Sequence, residues 1–357
     1  MTPLTAGLAE RVVTWQHSHG RHDLPWQNTR DPYRVWLSEI MLQQTQVTTV
    51  LDYFDRFLQR FPTVADLAAA NVDAVLGLWS GLGYYSRARN LHRCAQSVVA
   101  LHGGAFPRTA EALQTLSGIG RSTAAAIASL CFEERVAILD GNVRRVLTRA
   151  LAFEADLSVA ANERTLWARA TLLLPLNASD MPTYTQGVMD LGATVCARRK
   201  PVCGHCPLAE ICLARSAGDP ERYPVKTRKL KRSAESHWML LVADARGAVW
   251  LEQRPDKGVW ARLYALPMFD SADALALAVP PALQGKLEPR PAFTHVLTHK
   301  DLHLHPVQLH LSEPIPLQQG GGNSGRWIAA DEWPQLGLPA PVRKLLEQSR
   351  SSIPDAV

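Results

Sequence analysis

Four cysteines, Cys196, Cys203, Cys206 and Cys212, lie close together with the spacing C-x6-C-x2-C-x5-C. Intervals this short let the backbone curl so that four thiolates meet around one centre. The chain begins MTPLTAGLAERVVTWQHSHG, which lacks the basic segment and apolar run of a secretion signal. We therefore do not expect disulfides, which persist in oxidising compartments. The spacing alone leaves zinc and an iron–sulfur cluster open.

Length and composition indicate a folded protein of two or three domains, since the chain has 357 residues, of which 46% are hydrophobic and 20% charged. No apolar run approaches the ~18 residues that a membrane span needs, so we expect no membrane partner and a cytoplasmic location. The net charge is +5, and arginines cluster at 87–93, at 121 and at 144–149. Their position beside glycine turns favours phosphate contacts, although solvated helix faces remain the alternative.

The N-terminal two thirds are expected to be helical. Between Asp31 and about Leu151, apolar residues recur at helical spacing, and proline and glycine mark the turns between short helices. Residues 152–195 continue this pattern and end at Cys196. The pattern predicts an all-α core that leads directly into the cysteine loop.

A change of character follows at residues 219–236, DPERYPVKTRKLKRSAES, which are strongly basic and have no apolar face. This composition is typical of an exposed linker between domains. Beyond it, two β-rich runs flank an Asp-Ala-Arg-Gly turn, and DLHLHPVQLHL largely alternates with period two. With helices expected at 271–284 and 340–349, the C-terminal third is predicted to be α+β.

The segment LSGIGRSTA (116–124) places Gly118 and Gly120 in a tight turn before an alanine-rich helix. Free amides at such a helix start can bind a phosphate group. A Walker loop is not predicted, because Arg121 replaces its lysine and the spacing differs. An ordinary helix–turn–helix connection with closely packed glycines is the alternative.

Six segments together resemble the helix–hairpin–helix glycosylases with a [4Fe–4S] cluster, the superfamily of endonuclease III, and within it the MutY-type adenine DNA glycosylases. They are WLSEIMLQQTQV (36–47), GLGYYSRARNL (81–91), LSGIGRSTA, ILDGNV (138–143), MDLGA (189–193) and the cysteine loop, in the family's order. The resemblance covers almost the whole chain. It implies that the four cysteines hold a [4Fe–4S] cluster.

The resemblance also implies a fold. A mainly α N-terminal part is expected to comprise a six-helix barrel with the helix–hairpin–helix (31–143) and a helical [4Fe–4S] domain (1–30 and 144–218). The basic linker (219–236) then leads to an α+β Nudix-like domain (237–350). The Nudix signature G-x5-E-x7-R-E-x2-E-E-x-G is absent from the sequence. Lesion recognition is therefore expected there instead of pyrophosphate hydrolysis.

Two carboxyl groups carry the chemistry that the resemblance implies. Glu39 would protonate adenine at N7, and its apolar helix neighbours would raise its pKa enough to keep a proton near neutral pH. Asp140 would stabilise the oxocarbenium-like C1′ or attack it, with Asn142 orienting Asp140 and the water. Without the resemblance, Glu39 would be interpreted as a solvated helix residue and Asp140 as a helix N-cap.

Ser122 occupies the hairpin position where strand-cutting members of the superfamily carry a lysine. The lysine amine attacks C1′ and forms a Schiff base, which a serine hydroxyl cannot do. We therefore expect a monofunctional glycosylase that leaves an abasic site.

Adenine must leave the duplex to reach a buried carboxyl group, so the resemblance also assigns residues that bind DNA and the flipped base. The DNA-binding residues are Gln44, Leu82, Tyr84, Gly118, Gly120, Arg121 and Ser122. The substrate-pocket residues are Leu24, Trp26, Val47 and Gln186. The residues that recognise the lesion are Thr298 and His299, in a Leu-Thr-His tripeptide where the family usually has Phe-Ser-His.

We thus expect a monomeric, bacterial-type, nucleoid-associated enzyme of base-excision repair. Its partner would be double-stranded DNA containing adenine opposite 8-oxoguanine or guanine. Two alternatives remain: an endonuclease III-type bifunctional glycosylase for oxidised pyrimidines, and a noncatalytic iron–sulfur DNA-binding module.

Overall fold

The computed structural model describes residues 7–227, 231–315 and 325–350. The chain forms two compact units, of which the first comprises Met1–Ala68 with Arg93–Lys229 and the second Ala69–His92 with Leu230–Val357. An N-terminal helical region is followed by a region built on a mixed sheet, which confirms the predicted fold class. Within the described ranges, no helix is both long and apolar enough to cross a membrane.

Twelve α-helices precede the sheet in the described part of the chain. They are α1 (Leu8–His19), α2 (Pro32–Met41), α3 (Val47–Arg60), α4 (Val64–Ala69), α5 (Val72–Leu78), α6 (Ser86–His102), α7 (Ala110–Leu113), α8 (Arg121–Phe132), α9 (Gly141–Ala150), α10 (Ala160–Leu172), α11 (Met181–Thr194) and α12 (Leu213–Ser216). Side chains such as Trp36, Phe57 and Leu113 are fully buried between them. The apolar periodicity of the sequence therefore corresponds to a helical core.

Helix α11 is the central packing element of the first unit, where it contacts α1, α8 and α9. Two glycines permit this close approach. A Cβ atom on Gly187 would lie 2.9 Å from Cγ1 of Val12, and one on Gly192 would lie 2.6 Å from Cβ of Asn142. The glycine of the MDLGA segment thus brings α11 directly against the start of α9.

The second unit contains an eight-stranded sheet in its described residues. Its strands are β1 (Ser233–Asp244), β2 (Val249–Gln253), β3 (Tyr264–Ala265), β4 (Met268–Phe269), β5 (Glu288–Pro289), β6 (Phe293–Val296), β7 (Lys300–Leu311) and β8 (Gly325–Ile328). Strands β1 and β7 pair in parallel along their full length, whereas the other pairs are antiparallel. The helices are α13 (Ala272–Leu277), α14 (Pro281–Gln284) and α15 (Ala340–Arg350).

The predicted α+β character of the C-terminal third is confirmed, although the helix expected over 271–284 is divided into α13 and α14 before Pro280 and Pro281. The alternating segment forms β7, where Leu302 and Leu304 are fully buried and His303 between them is exposed. Strand β1 begins at Ser233, inside the segment predicted as linker, and residues 228–230 of that segment lie outside the described part. The boundaries predicted for the barrel and the cluster domain stay predictions.

Residues 69–92 pack within the second unit. A Cβ atom on Gly77 would lie 1.9 Å from the carbonyl oxygen of Gln335, so only glycine fits at this contact. The Tyr85 hydroxyl donates a hydrogen bond to the carbonyl oxygen of Leu338 at 2.7 Å. Arg89 donates to the carbonyl oxygen of Ala261, also at 2.7 Å. These contacts join a segment of the glycosylase-like sequence to the sheet domain.

Candidate active site

A cavity of about 620 Å³ in the first unit brings the predicted catalytic residues together. Glu39, Asp140 and Asn142 all line it. Six other predicted site residues share its wall: Leu24, Trp26, Gln44, Val47, Ser122 and Gln186. Their roles stay predictions, but residues from distant parts of the sequence converge on one space.

Glu39 lies on α2, whose neighbouring side chains Trp36, Leu37 and Met41 are fully buried. Burial raises the pKa of Glu39 to about 7, and the nearby charge of Asp140 adds to this shift. Among the described residues, no hydrogen-bond donor holds the Glu39 carboxyl group in its charged form. Glu39 can therefore hold a proton near neutral pH and release it to a base.

Asp140 is the N-cap of α9 and also faces the cavity. Its Oδ1 accepts a hydrogen bond from the Val143 amide at 2.7 Å, and its Oδ2 accepts one from Nδ2 of Asn142 at 3.3 Å. Burial raises the pKa of Asp140, while the backbone N–H groups of Val143 and Asn142 and the charge of Arg145 oppose the shift. The capping role and the predicted catalytic position are therefore compatible in one residue.

Arg145 fixes the orientation of Asn142 and was not assigned to the site from the sequence. Its Nη2 donates to Oδ1 of Asn142 at 2.9 Å and to the carbonyl oxygen of Gly192 at 2.7 Å. Its Nε donates to the carbonyl oxygen of Cys196 at 2.8 Å. Because Oδ1 of Asn142 accepts from Arg145, Nδ2 of Asn142 is the atom that faces Asp140.

A buried carboxylate on α11 orients Gln186. Asp190 is fully buried and accepts hydrogen bonds from Nε of Arg21 at 2.8 Å and from the Arg21 amide at 3.0 Å. Gln186 donates its Nε2 to Asp190 at 3.0 Å. Since that amide nitrogen is engaged, Oε1 is the part of Gln186 that can accept a hydrogen bond from a ligand. The sequence offered no signal for the pairing of Arg21 with Asp190.

The hairpin before α8 has the expected geometry. Gly118 adopts a left-handed φ of 78°, and Gly120 begins α8 without a side-chain cap. Oγ of Ser122 accepts a hydrogen bond from the Leu139 amide at 3.2 Å. Gln44, which lines the same cavity as Ser122, also has a positive φ of 58°. A left-handed backbone at a non-glycine residue is often found at a functional position.

The four cysteines of the loop line one small cavity, as the spacing predicted. Burial raises the pKa of Cys206 to about 12, and the charges of the other three cysteines contribute to the shift. Such a group of thiolates is unfavourable unless a cation compensates it. In the described part of the chain, however, no three His, Cys, Asp or Glu side chains are placed to hold a single metal ion.

Arg149 holds the cysteine loop from inside the protein and is only 2% exposed. Its guanidinium donates to the carbonyl oxygens of Ala197 at 2.7 Å and Arg198 at 3.0 Å, and to Sγ of Cys196 at 3.3 Å. Phosphate contacts were predicted for the arginines at 144–149, and for Arg149 this prediction is therefore wrong.

Arg87, in the arginine cluster at 87–93, is also buried. It donates a hydrogen bond to the carbonyl oxygen of Leu82 at 3.0 Å.

Leu82, Tyr84, Thr298 and His299 lie in the second unit. Leu82 is buried, whereas Tyr84 is 43% exposed and has a φ of 48°. The Tyr84 hydroxyl forms a hydrogen bond with Oγ1 of Thr298, and His299 next to it is exposed. The predicted DNA-binding residue Tyr84 and the predicted lesion-recognition residue Thr298 are thus in direct contact.

Comparison with known proteins agrees with this architecture. Residues 37–170 match the HhH-GPD superfamily of base excision DNA repair proteins, and residues 237–348 match the NUDIX domain. An adenine DNA glycosylase of Buchnera aphidicola subsp. Acyrthosiphon pisum is 35% identical over 97% of this chain and 98% of its own length. The adenine DNA glycosylase of Homo sapiens is 44% identical over 59% of this chain and 40% of its own.

Among solved structures, a thermostable thymine-DNA glycosylase superposes with a TM-score of 0.53 and 28% sequence identity. The match covers 60% of this chain and 97% of that structure.

Proposed function

This chain belongs to the adenine DNA glycosylases, base-excision repair enzymes that hydrolyse an N-glycosidic bond, and we propose that it acts on adenine opposite 8-oxoguanine or guanine. One observation carries the proposal: a single cavity contains Glu39, whose pKa is about 7, together with Asp140 and Gln186. A proton donor, a carboxylate and a hydrogen-bond acceptor are the groups that excision of a flipped adenine requires.

The reaction begins when the protonated Glu39 transfers its proton to N7 of the flipped adenine. The C1′–N9 bond then breaks, and its electron pair leaves with the base. Asp140 stabilises the positive charge that develops at C1′, and Asn142, held by Arg145, orients the Asp140 carboxylate. A water oxygen bonds to C1′, and the proton that this water loses returns to Glu39.

Gln186 supports a preference for adenine. Its Nε2 is engaged by Asp190, so its Oε1 can accept a hydrogen bond from the exocyclic amine of adenine. Leu24 and Trp26 are both buried in the same wall and provide apolar surface for the purine ring. Guanine presents a carbonyl oxygen where adenine has this amine, which would leave Oε1 facing another acceptor.

Ser122 supports a monofunctional reaction. It lines the cavity with Glu39 and Asp140, at the position where a lysine amine would be needed to attack C1′. A serine hydroxyl cannot form the imine that precedes strand cleavage. The product would therefore be an intact strand with an abasic site.

The four cysteines are suited to a [4Fe–4S] cluster, because all four line one small cavity and thiolates are the usual ligands of such clusters. Cys196, Cys203, Cys206 and Cys212 would be its ligands. When bound, the cluster would neutralise thiolate charge and brace the loop. Arg149 would hold the loop in place from α9 through its hydrogen bonds to loop carbonyl oxygens.

Recognition of the opposite base is assigned to the second unit. Tyr84 projects from a segment with two left-handed glycines, Gly81 and Gly83, and its hydroxyl contacts Thr298. An exposed aromatic ring on such a turn is suited to insertion between bases. Thr298 and His299 would provide the hydrogen-bonding groups that distinguish 8-oxoguanine from guanine.

The proposal is tested with end-labelled duplexes that carry adenine opposite 8-oxoguanine or thymine glycol opposite adenine. The purified protein is incubated with each duplex, and the strands are resolved with and without alkali. Cleavage at adenine that needs alkali is the expected result. Alkali-independent nicking at thymine glycol would instead support the bifunctional alternative.

A further inference from the structure

A second cavity of the first unit, with a volume of about 370 Å³, has a strongly basic lining. We call it the arginine cavity. Its lining residues are Arg121, Ser122, Leu139, Arg144, Ala160, Glu163, Arg164 and Trp167. Three arginines and one glutamate thus surround the same open space.

The positive charge of the arginine cavity is only partly compensated. Arg144 forms an ion pair with Glu163, in which Nη2 and Oε1 are 2.5 Å apart. In the described part of the chain, neither Arg121 nor Arg164 has a carboxylate partner, and the buried Nε of Arg144 has no hydrogen-bond acceptor. Two uncompensated charges and an unused donor suit an anion.

Arg121 is held in position without losing its hydrogen-bond donors. Its guanidinium lies over the Trp167 ring, 4.0 Å from the ring centroid, and Trp167 itself is buried in α10. Stacking engages the face of the guanidinium and leaves its N–H groups at the edge free to bind. The tryptophan therefore presents a fixed cation toward the cavity.

The position of the arginine cavity indicates which anion it binds. Ser122 lines both this cavity and the cavity that contains Glu39 and Asp140. A DNA strand that places a nucleotide in the cavity with Glu39 and Asp140 would pass close to Ser122. The phosphates that flank this nucleotide would then lie close to the arginines of the arginine cavity. We propose that the arginine cavity binds a backbone phosphate of the adenine-bearing strand, with Arg164 as a phosphate ligand outside the glycine hairpin. This inference rests on the proposed function.

Arg164→Gln tests the proposal, and Arg169→Gln is its matched control. Both arginines are exposed and belong to α10, but Arg169 lies beside Phe153 and does not line the cavity. Binding of the full-length protein to a fluorescent duplex with an uncleavable abasic-site analogue is measured from low to high salt. Arg164→Gln should weaken binding about tenfold at low salt and reduce the slope of log K against log salt by about 1.

The control Arg169→Gln should keep the wild-type slope, and Arg164→Lys should largely restore it because the positive charge returns. Equal slopes for the wild type and Arg164→Gln would overturn the proposal, as would equal losses for Arg164→Gln and Arg169→Gln. The proposed function is checked separately by adenine release from the wild-type protein, so the failure of one does not imply the failure of the other.

Discussion

The Tyr84 hydroxyl lies 2.5 Å from Oγ1 of Thr298, although 214 positions separate the two residues in the sequence. Tyr84 is one of the predicted DNA-binding residues, and Thr298 belongs to the tripeptide predicted to recognise the lesion. The hydrogen bond therefore connects a residue that would insert between bases to a residue that would recognise 8-oxoguanine. Each should influence the other when DNA is bound.

Tyr84→Phe keeps the ring but removes this hydrogen bond. One such bond contributes about 1 kcal/mol, so we expect the binding preference for 8-oxoguanine over guanine to decrease about fivefold. The measurement is the ratio of dissociation constants for duplexes that carry an uncleavable adenine analogue opposite each base. Tyr85→Phe is the control, because the Tyr85 hydroxyl bonds to Leu338 instead of the tripeptide. An unchanged ratio for Tyr84→Phe would refute the coupling.

The raised pKa of Glu39 predicts the pH dependence of excision. A general acid must be protonated, and Glu39 loses its proton as the pH rises through about 7. The single-turnover rate of adenine release should therefore be greatest below pH 7 and decrease about tenfold per pH unit well above it. A rate that stays constant from pH 7 to pH 9 would exclude Glu39 as the acid.

The same shift predicts an effect on stability. The pKa of Glu39 is about 7 in the folded protein against an ordinary value of 4.5, so folding binds a proton between these values. Stability attributable to Glu39 is therefore lost as the pH rises from about 4.5 to 7. Glutamine does not titrate, so Glu39→Gln does not lose this stability. The difference between the free energies of unfolding of Glu39→Gln and the wild type should therefore grow by up to about 3 kcal/mol as the pH rises over this range. Urea denaturation of both proteins at pH 5 and pH 8 measures this difference in the free energy of unfolding. The same difference at both pH values would contradict a raised pKa for Glu39.

Removing Arg149 should weaken binding of the proposed [4Fe–4S] cluster. Arg149→Gln loses a buried cation and most of the hydrogen bonds that hold residues 196–198. We expect less iron per chain and a weaker absorption band near ~400 nm in the purified variant. Arg199→Gln is the control, because Arg199 is exposed on the same loop. Full iron content in Arg149→Gln would show that the loop does not depend on this residue.

Asp190→Asn should strongly destabilise the first unit. Asp190 is fully buried, and its charge compensates that of Arg21. Because Arg21 is 29% exposed, loss of the Asp190 charge should cost about 2–3 kcal/mol, which urea denaturation can measure. Glu210→Gln removes the exposed partner of Arg11 and should cost less than about 1 kcal/mol. Similar costs for the two variants would show that Asp190 is not a stability determinant.

Local patterns were sufficient to predict much of the site. The cysteine loop, the helix with Glu39 and the N-cap position of Asp140 all depend on short segments whose geometry is set by nearby residues. Alternation along residues 300–311 likewise predicted strand β7, because one face of a half-buried strand must be apolar. The cavity that contains Glu39 and Asp140 is lined largely by residues of the segments that carry the family resemblance.

Contacts between distant segments could not be predicted in this way. The arginines at 144–149 were expected to meet phosphate, but Arg149 turns inward because the carbonyl oxygens of the cysteine loop surround it. Arg21 and Asp190 are paired across 169 positions, which no local pattern reports. Residues 69–92 join the sheet domain through contacts such as Gly77 with Gln335, which depend on tertiary packing alone.

We propose that Glu39 supplies the proton for excision of adenine opposite 8-oxoguanine. The most direct test measures free adenine released from an A:8-oxoguanine duplex by excess wild-type protein and by Glu39→Gln, with binding of both to the same duplex measured in parallel. We expect the wild type to release one equivalent of adenine. Glu39→Gln should bind the duplex similarly but release adenine at least ~100-fold more slowly. Release by Glu39→Gln at the wild-type rate would contradict it.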